Sequence, residues 1–383
     1  MKAKSIYGPN PDEIKTAFEQ AMVDGFQPTL AVVFMPVELG HTEIVQFLKK
    51  RDIAIFGANT PGKFTDRGLA SNEVVILLMD LNPDFFRIVV EEVDSYEQAF
   101  EKAQLIAQSG LENFSRPAFI LSAASYNDTP LSVLAEGITS IAGKNATLIG
   151  GMAGGKPVLN ECLVFSHEQE SDKGIISLII DQDKVEVADL AVSGWKPAGT
   201  PKIVTKSEGA WIITIDDQPA LDMLVKFTGL ELNLDDQKDI FQQIGSLYPL
   251  QIIQSKGSPV MNPPMMVNRE NGAVLFGFPI QQGSQVLFSL PPDFEVVETV
   301  VESAHVVKKT RLPEADAMLI FSCIGRLSNL GPLIEEELDG LRDVWGVPMV
   351  GFFSLGEFGT PIGGNAGHHG TTCSWVAFKE KKL

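Results

Sequence analysis

Three times in this chain of 383 residues an apolar, strand-length run ends in the same glycine bend. The bends are Gly57-x4-Gly62-Lys63, Gly150-x4-Gly155-Lys156 and Gly351-x4-Gly356-Glu357, and they superpose without gaps. A register that recurs at one place relative to a strand points to internal duplication. The period is too irregular for a solenoid, so related halves of a globular protein are expected. Around each bend the order is strand, helix, strand, bend, return strand. The first copy places strands at 29–35, 53–57 and 73–81 with a helix over 41–50. The second places strands at 117–123, 146–150 and 174–180 with a helix over 129–142. The third places strands at 317–323, 348–353 and 371–378 with a helix over 332–344. Short, continuously apolar strands between helical patterns predict strands buried on both faces under helical cover. The fold class expected is α/β: internally duplicated βαβ-type units forming two related halves, with mixed sheets covered by helices.

Elsewhere the signals are local. Met1-Lys2-Ala3-Lys4 is not followed by the apolar core of a secretory signal. Asn10 caps a helix, Pro11 takes its first position, and Ile14, Ala17, Phe18, Ala21 and Met22 recur at helical spacing before Gly25. Residues 1–28 are thus expected as a helical extension, with seams near Gln27-Pro28 and near Asp217. A helix over 95–109 is stopped by Gly110. Between the second and third copies, strands are expected at 184–192, 202–205, 211–215 and 285–290, and a helix at 219–228. Residues 230–243 read as acidic surface, and 259–264 as a Pro/Met-rich loop. Asn271-Gly272 signals a hairpin. Asp293 caps a helix over 294–308.

Charge narrows the partners. With 49 acidic against 30 basic residues the formal net charge is -19, which repels phosphate backbones and anionic membrane surfaces. No apolar run approaches the ~20 residues that span a bilayer. Three cysteines without CxxC spacing fit a reducing cytoplasm. The expectation is a cytoplasmic protein with no nucleic-acid partner and no membrane insertion.

Gly150-x4-Gly155-Lys156 has the spacing of a phosphate-binding loop, but Pro157 stands where a Ser or Thr would hold magnesium. Phe64 takes that place in the first copy, and Glu357 replaces the lysine in the third. The bends are therefore read as backbone features, and no cofactor is expected. Cys323 ends a strand three residues before Arg326, whose guanidinium would favour a thiolate; a buried strand cysteine is the plainer alternative. Arg326 either receives a ligand carboxylate bidentately or makes a rim salt bridge, with Glu357 as its partner. Glu357 takes a ligand amine or satisfies the N–H groups of its own turn. Asn59, Thr60, Ser354, His368 and Thr371 complete the expected ligand contacts. Adjacent His368 and His369 lack the spacing of a metal site, so no metal is expected. The charge closing the bend, lysine twice and glutamate once, marks with Arg326 the expected seat of specificity.

With these residues assembled, the chain resembles FIST-domain proteins over about residues 29–373. The most specific pieces are Leu319-Ile-Phe321-Ser-Cys323-Ile-Gly325-Arg326 and Val347-Pro348-Met-Val-Gly351-Phe-Phe-Ser354-Leu-Gly356-Glu357. Asp217-Gln-Pro219-Ala220-Leu221-Asp222 is similar to the opening of the FIST C half. Ile55-Phe-Gly57-Ala-Asn59-Thr60-Pro-Gly62 and Gly150-Gly151-Met-Ala153-Gly154 are similar to FIST N turns. Lys63 stands where the family usually has an acid, Gly155-Lys156 replaces Gly-Asp, and His368-His369-Gly370-Thr371 replaces His-Asn-x-Thr. The resemblance divides the chain into a FIST N-like domain at 29–217 and a FIST C-like domain at 218–383. It implies a sensory, signal-transducing domain with small ligands such as amino acids, and it brings no established catalytic residues to carry over. The reading is a small-molecule sensor with a pocket between the halves, closing on its ligand and signalling through a separate protein partner. The alternatives are an enzyme using Cys323 as nucleophile in acyl or thiol chemistry, and a protein–protein scaffold.

Overall fold

The computed structural model describes residues 1–60, 62–70, 72–124, 131–154, 162–230 and 244–382. The chain opens with β1 (Ala3–Gly8), α1 (Pro11–Ala21), β2 (Leu30–Met35), α2 (Thr42–Lys49) and β3 (Ala54–Asn59). A short hairpin, β4 (Lys63–Thr65) and β5 (Gly68–Leu69), leads to β6 (Val74–Met79). The same order follows in β7 (Phe86–Glu92), α3 (Tyr96–Asn113), β8 (Pro117–Ala124), α4 (Leu131–Ala142) and β9 (Thr147–Ala153). Here the hairpin is β10 (Val164–Phe165) with β11 (Glu170–Ser171), and the return strand is β12 (Gly174–Asp181).

The third round starts at β13 (Val185–Val192) and is interrupted. An eight-stranded β region enters, with β14 (Pro197–Glu208), β15 (Trp211–Ile215), β16 (Gln218–Pro219), α5 (Ala220–Thr228), β17 (Leu250–Ile252), β18 (Val260–Asn262), β19 (Pro264–Asn268), β20 (Ala273–Phe276) and β21 (Gln285–Ser289). The round then resumes with α6 (Phe294–Thr310), β22 (Ala317–Cys323), α7 (Ile324–Leu330), α8 (Leu333–Trp345) and β23 (Met349–Ser354). The hairpin β24 (Glu357–Gly359) and β25 (Gly367–His369) precedes the last strand, β26 (Cys373–Glu380).

Three six-stranded mixed sheets result, with one topology: β1-β6-β2-β3-β10-β11, β7-β12-β8-β9-β24-β25 and β13-β26-β22-β23-β4-β5. In each, the two central strands are parallel and the return strand runs antiparallel. Each hairpin leaves its own round and completes another sheet. The first supplies β4 to β23, the second supplies β10 to β3, and the third supplies β24 to β9. The exchange is cyclic, so the α/β class with mixed sheets takes the form of three interlocked sheets.

The exchange explains the glycines. In register, Gly57 faces Phe165, Gly351 faces Phe64 and Gly150 faces Phe358, each phenylalanine arriving on a donated strand and fully buried. A Cβ on Gly57 would come within 2.2 Å of the Phe165 ring, and one on Gly351 within 2.4 Å of Phe64. Gly57 is therefore required by the Phe165 ring, Gly351 by the Phe64 ring together with the Ile320 carbonyl, and Gly150, at φ +153, by the backbone of Leu121, whose carbonyl oxygen would lie 1.9 Å from a Cβ.

Strand side chains alternate between two cores. Leu30, Val32 and Phe34 of β2 point with Ala118 and Ile120 of β8 and with Ala317, Leu319 and Phe321 of β22 into one core shared by all three sheets. Phe34, Phe321 and Phe352 meet edge to face there, with centroids 4.7–6.3 Å apart, a favoured aromatic arrangement. The opposite faces lie under helices. Ala31, Val33 and Met35 pack with Ile14 and Phe18 of α1 and Ile44 and Leu48 of α2. Phe119 and Leu121 pack under α3 and α4, and Met318 and Ile320 under α6 and α8.

Several local expectations change. The first 28 residues are not only helical, because Ala3–Gly8 pairs along β6 as an edge strand. Asn10 does cap α1, accepting from the Glu13 N–H at 3.0 Å. Helix α3 runs through Gly110 to Asn113; glycine is needed there because Phe119 would lie 2.7 Å from a Cβ. The expected loop at 259–264 carries β18 and the start of β19. The acidic segment at 230–243 falls largely outside the described residues.

Candidate functional site

The carboxyl ends of β3, β9 and β23 meet. Gly154 N–H donates to the Asn59 carbonyl at 3.1 Å, Phe353 N–H to the Gly62 carbonyl at 2.9 Å, and Met152 N–H to the Gly356 carbonyl at 2.9 Å. These bonds close a ring of strand ends drawn from all three rounds, and the candidate residues sit on or beside it. Strand carboxyl ends are where open α/β sheets gather ligands.

Glu357 begins β24 opposite Gly151 and is fully buried. Its carboxylate accepts from Ser354 Oγ at 2.5 Å, from Thr372 Oγ1 at 2.8 Å and from Thr372 N–H at 3.3 Å. Burial outweighs these donors and pushes its pKa up to about 7. Cys323 lies nearby, its N–H donating to the Thr372 carbonyl at 2.9 Å. Burial first, and then the Glu357 charge, push its thiol far above the ordinary range. A thiol so placed keeps its proton at neutral pH.

Thr371 adopts φ +58, the left-handed region that is unfavourable for a β-branched residue. Its carbonyl accepts from Ser193 Oγ at 3.1 Å and from Arg326 Nη1 at 3.4 Å. Its own hydroxyl is buried without a partner, as are Asn59 Oδ1, Thr60 Oγ1 and His368 Nδ1 among the described residues. His368 is half-buried with its ring 4.5 Å from that of Phe278. Burial lowers His369 to about 4 and so keeps it neutral at physiological pH.

Arg326 is not at a rim. It sits in α7 with no exposed surface, and its Nε donates to Glu337 Oε1 at 3.1 Å while Nη2 bonds Glu337 Oε2. Its third nitrogen reaches the Ser193 carbonyl at 2.6 Å, and the guanidinium lies 5.1 Å from the Trp195 ring. Glu337, not Glu357, is its partner, and both pair members are wholly buried. Arg326 thus holds the Thr371 turn from behind, on the side of the ring formed by α7, α8 and Trp195.

Sequence reasoning missed Glu337. It shares the buried stripe of α8 with Ile334, Leu338, Leu341 and Val344, and a lone acid in phase with that stripe was the available signal. The bend's closing charge also reads differently in space. Lys63 faces Phe352 and Glu357 faces Gly151, but the second round puts Val164 in that register, opposite Ala58. Lys156 lies outside the described residues. Lys63 is fully buried, and burial lowers its pKa to about 8 against the opposing pull of Glu38 and Glu73.

Two cavities are lined by other residues. A groove of about 630 Å³ runs along β1 and α1, and a void of about 10 Å³ adjoins Met152 and Leu131. None of the expected site residues lines either. Pro61 and residues 125–130 and 155–161, which continue from the strand ends, are outside the described residues. Among the described residues no helix is long and apolar enough to cross a membrane.

Comparison with known proteins agrees with this architecture. The family described as the FIST N domain matches residues 29–218, and that described as the FIST C domain matches 220–360. An uncharacterised protein of Mycobacterium tuberculosis (strain CDC 1551 / Oshkosh) is 24% identical over 237 residues, 61% of each chain. One from Mycobacterium bovis is 24% identical over 240 residues, 60% of each. The chain thus spans 60–61% of the length of these curated relatives. The two adjoining matches cover most of the sequence, and the chain belongs to the FIST-domain family.

Proposed function

We propose that this chain is a cytoplasmic sensor that binds a small polar molecule, an amino acid or a related metabolite, at the ring of strand ends. It passes the signal to a separate protein partner. FIST domains are generally regarded as sensory signal-transduction domains. The ring lies where β3 and β9 of the FIST N segment meet β23 of the FIST C segment, which is the junction of the two matched halves.

One observation carries the reading: Asn59, Thr60 and Thr371 each bury a polar side-chain atom that has no partner among the described residues. A buried acceptor or hydroxyl left unpaired costs about 1–3 kcal/mol, and such atoms recur where a ligand completes the bonding. The strained turn at Thr371 supports the same place, since strain of this kind gathers at functional sites. Arg326 is committed to Glu337, so the proposed contacts are the neutral groups of Asn59, Thr60, Ser354, His368 and Thr371, with Glu357 protonated or ionised according to pH. The raised Cys323 thiol argues against nucleophilic chemistry. The cytoplasmic location is supported by Cys162, Cys323 and Cys373, all buried and joined by no disulfide.

The test is thermal unfolding against a panel of amino acids and related metabolites. A ligand at about a hundred times its Kd stabilises by about 2.7 kcal/mol. At least one panel member should raise Tm in the wild type and fail to do so in Thr60→Val. A panel without any shift, or a shift that Thr60→Val and Asn59→Ala both leave intact, removes the reading.

A further inference from the structure

The three sheets share one topology, so their outer edges can be compared position by position. Ile320 pairs with Gly351 and Trp375, and Val33 pairs with Gly57 and Ile76, which makes Trp375 the counterpart of Ile76. Trp375 faces Leu190, and Ile76 faces Ile6. Ala191 of β13 is therefore the counterpart of Tyr7 of β1.

At β13 the edge is occupied. Ala191 N–H donates to the Thr360 carbonyl at 2.8 Å, and Ala191 forms a parallel bridge with Pro361. The stretch leaving β24 thus makes a single-bridge contact with that edge. At β1 the same edge carries no added backbone strand among the described residues, although the Ser5 hydroxyl bonds the Asp66 carboxylate beside it. Asp80 N–H bonds the Lys2 carbonyl, so by the antiparallel alternation Lys4, Ile6 and Gly8 turn toward β6 while Ser5 and Tyr7 turn outward. Among the described residues no backbone bond from Ser5 or Tyr7 reaches any segment beyond β6. Beside this edge runs the groove of about 630 Å³, with β1 as floor, Thr16, Ala17 and Gln20 of α1 as one wall, and Asp66, Arg67 and Pro348 as the other. The third counterpart, β7, carries Arg87, Glu91 and Glu92, charges of the kind that guard an edge against pairing.

We propose that β1 is a docking edge, taking an extended basic segment of a partner protein as an added strand parallel to β1. A strand of six residues offers about 20 Å of edge. Main-chain bonds to Ser5 and Tyr7 would supply affinity and the side-chain walls selectivity, as in other strand additions. Charge favours a basic segment. The chain carries -19, and Glu13 is exposed at the groove. Of the other charges lining the groove, Lys4 is engaged with Asp24 at 2.8 Å and with the Ala21 carbonyl at 2.6 Å, Arg67 lies over the Tyr7 ring, and Asp66 accepts from the Ser5 hydroxyl and from Met349 N–H at 3.4 Å, so Glu13 is the charge the groove presents to an incoming segment. None of these residues belongs to the strand-end ring, so the proposal stands or falls apart from the small-molecule reading.

The test uses the full chain. A displayed random-peptide library is selected on the wild type, and enriched peptides are measured by fluorescence anisotropy. Enrichment should favour alternating apolar and Lys/Arg residues, and bound peptide should slow amide exchange at Ser5 and Tyr7. Tyr7→Pro deletes one outward N–H while leaving the β6 ladder intact. Thr16→Trp fills the groove from an exposed helix position. Each should weaken binding at least tenfold, with Tm unchanged for Thr16→Trp, which decides the matter if Tyr7→Pro fails to fold. Absence of enrichment, enrichment of acidic peptides, equal binding to Thr16→Trp, or protection at another edge overturns the proposal. So does a dimer in sedimentation that Thr16→Trp abolishes, since the occupant would then be a second copy.

Discussion

Replacing Arg326 by Met tests the most consequential side chain in the structure. The guanidinium and the Glu337 carboxylate are both wholly buried and joined by two bonds. Removing one partner strands a charge in the interior, at a cost of about 3–5 kcal/mol. The Ser193 and Thr371 carbonyls also lose their donor, which pushes the loss toward the upper figure. Glu337→Leu alone should cost a similar amount, because it strands the cation. The double variant strands neither. A buried pair replaced by apolar groups is often neutral or better, so the double should recover at least about 2 kcal/mol relative to the sum of the singles. Urea unfolding of the four proteins at neutral pH measures the cycle. If either single costs under about 1 kcal/mol, as exposed pairs do, or if the two effects simply add, the pair is not the buried strut described here. Because Arg326 holds the left-handed Thr371 turn, the single variant should also speed amide exchange at Thr371 and Thr372.

Two further outcomes follow from the same geometry. Glu357 keeps its proton in the fold up to about pH 7 but ionises near its ordinary 4.5 when unfolded, so between these values the folded state binds more protons and stability falls as pH rises, by about 3 kcal/mol in all. Glu357→Gln should therefore gain about that much relative to wild type between about pH 5 and about pH 8 in urea melts, and a difference flat with pH would contradict the burial. Gly57→Ala drives a methyl into the Phe165 ring and should cost at least about 2 kcal/mol; on a Phe165→Leu background the added cost should shrink by half or more, and strict additivity would show that the ring is not what demands glycine.

Much of this architecture was legible because its signals are local. The strand before each bend, the helix that precedes that strand and the Asn10 cap depend on neighbours within a few residues. The N-terminal strand was not legible. Of Ala3–Gly8 only Ile6 and Gly8 are buried, so an edge strand with one apolar anchor left no alternation to read. The bend glycines were seen, but not their cause, since Phe165 reaches Gly57 from more than a hundred positions away and on another round's hairpin. That distance also explains the misreading at the second bend. The gap-free register placed Lys156 with Lys63 and Glu357, whereas pairing in space puts Val164 there. Arg326 and Glu357 were singled out as candidate ligand contacts, and both are fully buried charges in the fold. Their partners were not, because Glu337 hides in a helical stripe and Thr372 follows a turn that only the left-handed Thr371 makes.

The exchanged hairpins also restrict how a signal can leave the site. The sequence suggested that one half closes on the other. In the fold, β4 of the FIST N segment is a strand of the sheet built on β22 and β23, and β24 of the FIST C segment is a strand of the sheet built on β8 and β9. Rigid closure of the halves would have to break both ladders and uncover Phe64 and Phe358, each fully buried. Burying a phenylalanine side chain contributes about 1.5–3 kcal/mol, and two of them plus the ladder bonds exceed what a metabolite at ordinary excess over its Kd can supply. A ligand at the ring can instead shift the strained Thr371 turn and the Arg326–Glu337 pair behind it, a change carried by α7 and α8. If so, amide exchange on ligand addition should change at residues 324–345 and 368–373 and stay constant along β4 and β24; altered exchange in those two strands would restore a closing hinge.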